Sequence, residues 1–159
     1  MSERSEAHTT FVIERRLPAP PRRAFAAWSR EEAKRAWSSC HNDLYDVDYG
    51  LDFRVGGTEH NRAREAGRDV FIYEARFLDI VENHRIVYAY EMRLGEKRVS
   101  VSLATVGFKA EGQGTRMIFT EQVVFLDGNT DSLEQRRIGT EEGFERLEAL
   151  LAGEAAVKH

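Results

Sequence analysis

The chain has 159 residues and a mass of 18.2 kDa, enough for one domain that buries about two-thirds of its unfolded surface without disulfides or structural metal. Hydrophobic residues make up 42% and charged residues 31%, the balance of a soluble globular protein. A formal net charge of -4 excludes nucleic acid as the main partner, because that binding needs a basic face. Short basic runs such as Arg15-Arg16, Arg22-Arg23 and Arg136-Arg137 have acidic residues close by and read as solvated faces.

Cys40 is the single cysteine, so an internal disulfide is not available and a reducing, cytoplasmic setting is expected. Met1 to Thr10 is polar and lacks the apolar core of a signal peptide. No apolar run reaches the length of a membrane span, so membrane insertion is not expected.

Residues 1–8 read as a loose tail. Thr9 to Arg15 is β-rich and predicts a first strand, which Pro18-Ala19-Pro20-Pro21 ends. Proline is tolerated in a first helical turn, so Pro20-Pro21 can open a helix with Ala24, Phe25, Ala27 and Trp28 on its apolar face. Ser29-Arg30-Glu31-Glu32 fits a capping box and predicts a second short helix through Ala33, Ala36 and Trp37. Ser38 to Asp46 is polar and reads as a loop.

From about Tyr49 to Phe125 the chain reads as β-strands separated by short glycine turns: Gly56-Gly57, Ala66-Gly67-Arg68, Leu94-Gly95-Glu96 and Gly112-Gln113-Gly114. Turns this short join antiparallel neighbours, so the region is a meander. Strands are expected near Tyr49–Val55, Thr58–Arg64, Val70–Val81, Arg85–Arg93, Arg98–Phe108 and Thr115–Phe125. Alternation places Phe71, Tyr73, Ala75 and Phe77 on one face of their strand, and Ile86, Tyr88, Tyr90 and Met92 on one face of the next. In the last strand Thr115, Met117, Phe119, Glu121, Val123 and Phe125 share a face. Glu59 and His60, on a polar strand, are expected to face solvent.

Asp131 or Ser132 can cap a long last helix with an apolar stripe of Leu133, Phe144, Leu147, Leu150 and Leu151, ending near Gly153. The fold class is therefore α+β, a curved antiparallel sheet with one long helix left to cover it. Gly139 and Gly143 lie one turn apart on that helix, where each costs about 1 kcal/mol relative to alanine. Either the helix packs tightly there or space is being left. Tyr73, Tyr88 and Tyr90 carry hydroxyls that want partners when buried. Glu121 sits in an otherwise apolar face, and inside it would need a buried arginine, tyrosine hydroxyls, water or a ligand.

Catalytic motifs do not compete with this reading. Cys40-His41-Asn42-Asp43 groups metal-binding residue types at a spacing that matches no zinc pattern, and Cys40 with His41 lacks an orienting third group. There is no phosphate loop, dinucleotide fingerprint or Gly-x-Ser-x-Gly. No metal and no cofactor are expected.

Several segments together resemble the START-like, helix-grip superfamily, and within it the small bacterial branch named after the activator of Hsp90 ATPase. They are Arg16-Leu17-Pro18-Ala19-Pro20, Asp52-Phe53-Arg54-Val55-Gly56-Gly57, Ile80-Val81-Glu82-Asn83-His84-Arg85-Ile86, Gly114-Thr115-Arg116-Met117 and Gly139-Thr140-Glu141-Glu142-Gly143-Phe144. The resemblance implies a six- or seven-stranded sheet gripping the C-terminal helix, as one domain over residues 9–153 with a short tail at 154–159. It also implies a cavity for a hydrophobic or amphipathic ligand.

On that basis the expected pocket lining is Trp28, Trp37, Phe53, Phe71, Tyr73, Tyr88, Tyr90, Met117, Phe119, Glu121, Gly143 and Phe144. The leading expectation is binding of a small hydrophobic or amphipathic molecule without catalysis. The alternatives are a cyclase- or hydrolase-like enzyme with Glu121 as general acid or base, and a protein-interaction module of the chaperone-regulator kind or a homodimer.

Overall fold

A computed structural model describes residues 4–38, 44–65, 70–128 and 132–157 of the chain. Seven strands form one antiparallel sheet in the order β1-β7-β6-β5-β4-β3-β2. They are β1 (Glu6–Leu17), β2 (Leu44–Leu51), β3 (Thr58–Glu65), β4 (Val70–Val81), β5 (Arg85–Leu94), β6 (Lys97–Glu111) and β7 (Gly114–Leu126). Two short helices, α1 (Pro21–Ser29) and α2 (Glu31–Ser38), follow β1, and the long helix α3 (Ser132–Val157) ends the order of elements. This is the helix-grip α+β architecture: β2 to β7 are sequential neighbours, and β1 closes on the far side of β7.

The differences from expectation lie at element ends. β1 begins at Glu6, within the stretch read as a tail, because its full length pairs with β7 from Glu6↔Leu126 to Leu17↔Thr115. β2 begins at Leu44, within the stretch read as a loop, because it pairs with β3 from Leu44↔Glu65 and is interrupted by a bulge between Tyr45 and Asp48. α3 continues past Gly153 to Val157. The residues of Cys40-His41-Asn42-Asp43 and of Ala66-Gly67-Arg68 lie outside those described.

Pro21 occupies the first turn of α1 and Pro20 caps it, as proline's fixed φ allows. The capping box does not form. Ser29 closes α1 instead, its hydroxyl donating to the carbonyl of Ala26 at 3.4 Å. Trp37 Nε1 donates to the carbonyl of Ala27 at 2.9 Å and holds α2 against α1. The Arg54-Val55-Gly56-Gly57 turn docks on β4 through bonds from Gly56 N to Phe77 O and from Phe77 N to Gly57 O. Gly56 has φ +84, and a side chain at Gly57 would collide with the carbonyl of Asp52, so both glycines are required there.

The concave face of the sheet carries the core. Thr115, Met117, Phe119, Glu121, Val123 and Phe125 of β7 are all buried, as are Ile86, Tyr88 and Tyr90 of β5. α3 lays Phe144, Leu147 and Leu151 onto this face. At one end Phe25 of α1 packs edge-on against Phe53 and Phe108, with ring centroids 5.6 Å apart in both pairs. That end is filled. The other end, under α2 and the first half of α3, is not.

Candidate functional site

A cavity of about 400 Å³ lies between the sheet, α2 and α3, a size typical of small-molecule sites. Trp28 of α1 and Trp37 of α2 form one wall, with centroids 4.8 Å apart, and Phe144 of α3 packs against both. Phe71, Tyr73, Tyr88 and Tyr90 come from β4 and β5, and Phe119 and Glu121 from β7. Gly143 lies on the helix side. Ten of the twelve residues expected at the pocket are therefore brought together on one cavity.

Phe53 and Met117 are not on it. Phe53 stacks against Phe25 and Phe77 at the filled end, and Met117, fully buried, pairs across the sheet with Phe108 beside the same α1 ring. Met117 points to the concave face, while Phe53 lies beyond the end of β2 at Leu51 and packs against the core; both sit at the end that α1 occupies.

The helix glycines resolve in favour of space. A Cβ at Gly139 would meet nothing within 4 Å, and one at Gly143 would make ordinary contacts with Arg146 and Trp37 at 3.5–3.9 Å. Neither position is a close approach of backbones, and both line the cavity.

Two buried polar centres stand in this aromatic wall. In the first, Glu121 is 0% exposed. Its Oε2 accepts from the Tyr90 hydroxyl at 2.6 Å, the Ser102 hydroxyl at 2.8 Å and Arg136 Nη1 at 3.2 Å. Arg136 reaches down from α3, its side chain only 9% exposed, and its Nη2 donates to Ser100 Oγ at 2.7 Å. Oε1 of Glu121 is buried and has no hydrogen-bond partner among the described residues. The β7 ladder runs without a bulge through Glu121, so the carboxylate points inward with its apolar neighbours.

The second centre corrects an expectation. Glu59 does not face solvent; it is 2% exposed. Lys34 of α2, itself buried, places Nζ 2.8 Å from both Glu59 oxygens, and Tyr49 donates to Oε2 at 2.6 Å. The Lys34 ammonium also lies 5.4 and 5.3 Å from the Trp28 and Trp37 ring centroids, within cation–π range. Lys34, Tyr49, Glu59 and Arg136 all line the cavity, and sequence reasoning placed none of them there. The alternation of β3 carries no apolar set that would mark Glu59 as inward. Lys34 follows Ala33 on a helix whose apolar face was read from Ala33, Ala36 and Trp37.

Burial is the largest cause that raises the Tyr49, Tyr73, Tyr88 and Tyr90 hydroxyls above the ordinary value of 10.0. The charge of Glu59 comes next for Tyr49 and Tyr73, and that of Glu121 for Tyr90. All four are neutral donors at physiological pH. Tyr73 and Tyr88, unlike Tyr49 and Tyr90, have no hydrogen-bond partner for their hydroxyls among the described residues. The described residues hold no group of three or more metal-ligating side chains, and no helix among them is long and apolar enough to cross a membrane.

The fold has close counterparts among solved structures. A protein of unassigned function from Rhizobium leguminosarum is 54% identical over 95% of this chain and 99% of its own, with a TM-score of 0.90. A protein from Rhizobium loti is 39% identical over 91% of this chain and 98% of its own, with a TM-score of 0.84. A protein from Chromobacterium violaceum, 21% identical over 89% of this chain and 96% of its own, shares the fold with a TM-score of 0.69. No curated protein matches the chain. The family described as Activator of Hsp90 ATPase homolog 1-like protein matches residues 18–153, from the proline that ends β1 to the glycine near the end of α3, and the chain belongs to it.

Proposed function

We propose that the protein binds a small, mainly apolar molecule in this cavity and does not transform it. The observation that carries the reading is a space of about 400 Å³ inside the grip of sheet and helix, walled by tryptophan, tyrosine and phenylalanine and left open by Gly139 and Gly143. A sealed core would fill that volume, since protein interiors pack closely. Aromatic walls supply affinity through apolar burial, and a few convergent polar groups orient the ligand.

Binding is favoured over turnover by the state of the polar groups. The cavity tyrosines are held neutral by burial, and the one oxygen of Glu121 with partners already accepts three hydrogen bonds. A carboxylate so held suits a fixed acceptor better than a group that must shuttle protons. The chaperone-regulator alternative rests on the family's name alone.

The two tryptophans of the chain, Trp28 and Trp37, both line the cavity, which provides a direct test. Native mass spectrometry of protein purified from its own host should show a co-purifying small molecule. Adding that molecule back to stripped protein should quench or shift the tryptophan emission saturably at one equivalent. Protein that is empty from its host, with emission and melting temperature unmoved by a library of apolar compounds, would overturn the reading.

A further inference from the structure

Among the described residues that line the cavity, the acceptor Oε1 of Glu121 is buried without a hydrogen-bond partner, as is the donor Nε1 of Trp28. Lys34 and Glu59 satisfy each other, and Tyr49 completes Glu59. Arg136 and Glu121 also pair, but every donor on Glu121 goes to Oε2. Oε1 stays without a partner on a side chain that is 0% exposed. A buried acceptor left unmade is costly, and one on a carboxylate more so than a neutral one. The deficit at Glu121 is for a donor, and for an uncharged one, because the carboxylate already has its counter-ion in Arg136. The surrounding walls are aromatic, with Tyr73 and Tyr90 centroids 4.9 Å apart and Tyr88 and Tyr90 6.0 Å apart.

We infer that the ligand is an uncharged aromatic molecule bearing a hydroxyl or N–H group, and that this donor is bound by Oε1 of Glu121. The inference rests on the container reading given above and narrows it to a chemical class. It distinguishes the cavity from a site for plain hydrocarbon, which leaves Oε1 unmet. It also distinguishes it from an anion site led by Arg146. That guanidinium lines the cavity too and donates through Nε to the carbonyl of Trp37 at 2.9 Å.

Four bicyclic probes of similar shape separate these cases by isothermal titration calorimetry on the full chain: 2-naphthol, 2-methoxynaphthalene, 2-methylnaphthalene and 2-naphthoate. The inference expects 2-naphthol to bind about tenfold or more tighter than the other three, the loss that follows when a charged buried acceptor goes unpaired. Glu121→Gln sharpens the test. The donors around Oε2 fix the amide oxygen in its place, so the amide NH2 takes the position of Oε1 and turns an acceptor into a donor. In this variant the preference should fall away or reverse toward 2-methoxynaphthalene. Should Glu121→Gln not fold, as judged by its melting curve, the wild-type probe series decides alone. Equal binding of the four probes, or tightest binding of 2-naphthoate, overturns the donor assignment and leaves the container standing. Failure of all four, together with an unresponsive apolar library, overturns the container and this inference with it.

Discussion

Glu59 and Glu121 are both buried carboxylates on one cavity, each facing a cation delivered by a helix and each bonded to a tyrosine hydroxyl. Their completeness differs. Both oxygens of Glu59 are engaged by Lys34 at 2.8 Å, and Tyr49 adds a third bond. Glu121 concentrates its bonds on one oxygen, and its arginine stands farther off at 3.2 Å. The first centre is finished by the fold itself and fastens α2 to β3. The second is left for something else to finish. The comparison teaches that burial of an ion pair does not by itself mark a binding site; the unspent hydrogen-bonding capacity does.

The largest expected effect tests the structural centre. Lys34→Ala leaves Glu59 buried without its counter-ion and should destabilise the protein by about 3–5 kcal/mol in urea unfolding at neutral pH. Arg136→Ala should cost less: it removes the Ser100 bond at 2.7 Å and the 3.2 Å contacts to Tyr90 and Glu121, but it leaves the Tyr90 and Ser102 hydroxyls donating to Glu121. Equal costs for the two variants, or the reverse order, would remove the distinction between a finished and an unfinished centre.

Alkaline pH probes the tyrosines shared between the centres. Their hydroxyls ionise in the unfolded chain near the ordinary value of 10.0 but are held protonated in the folded protein. The folded state therefore binds more protons above about pH 10, and stability falls as pH rises from there. Each such tyrosine adds about 1.4 kcal/mol per pH unit to the slope. Tyr73→Phe should remove one such increment while changing stability little at pH 7, since the Tyr73 hydroxyl makes no hydrogen bond among the described residues. Tyr90→Phe should remove the same increment and also cost about 1.5–3 kcal/mol at pH 7, because its bond is to a carboxylate. Unfolding curves collected from pH 8 to 11 check both.

The smallest effect separates stability from binding. Gly139→Ala adds a methyl group where nothing lies within 4 Å, so it should stabilise α3 by about 1 kcal/mol while narrowing the cavity. A higher melting temperature with weaker ligand uptake supports a volume kept open at the expense of helix stability. Unchanged uptake would mean that Gly139 lies outside the path of the ligand.

Most of the architecture was legible in the chain itself. Alternation in β4, β5 and β7 assigned their inward faces correctly, including Glu121, because one polar residue among Met117, Phe119, Val123 and Phe125 can be located by its neighbours. Glu59 was illegible for the opposite reason. Thr58-Glu59-His60-Asn61-Arg62 offers no apolar partners to define an inside, and its orientation follows from pairing with β4, where Glu59 lies opposite Ala75. Met117 shows the limit of facing as evidence: periodicity tells which side of a sheet a residue points to, not how far along the sheet the helices fill the space; the strand expected to carry Phe53 ends at Leu51.

From the sequence alone came the antiparallel meander, the inward faces of β4, β5 and β7 and the two glycines on α3 as a question of packing or space, all read from local periodicity and turn chemistry. The tertiary structure decided which end of the sheet α1 fills, which helix residues reach down to the carboxylates, and which carboxylate oxygen is left over. Those outcomes depend on contacts between residues far apart in the chain, such as Lys34 with Glu59 and Arg136 with Ser100, and no local pattern encodes the distances at which they meet.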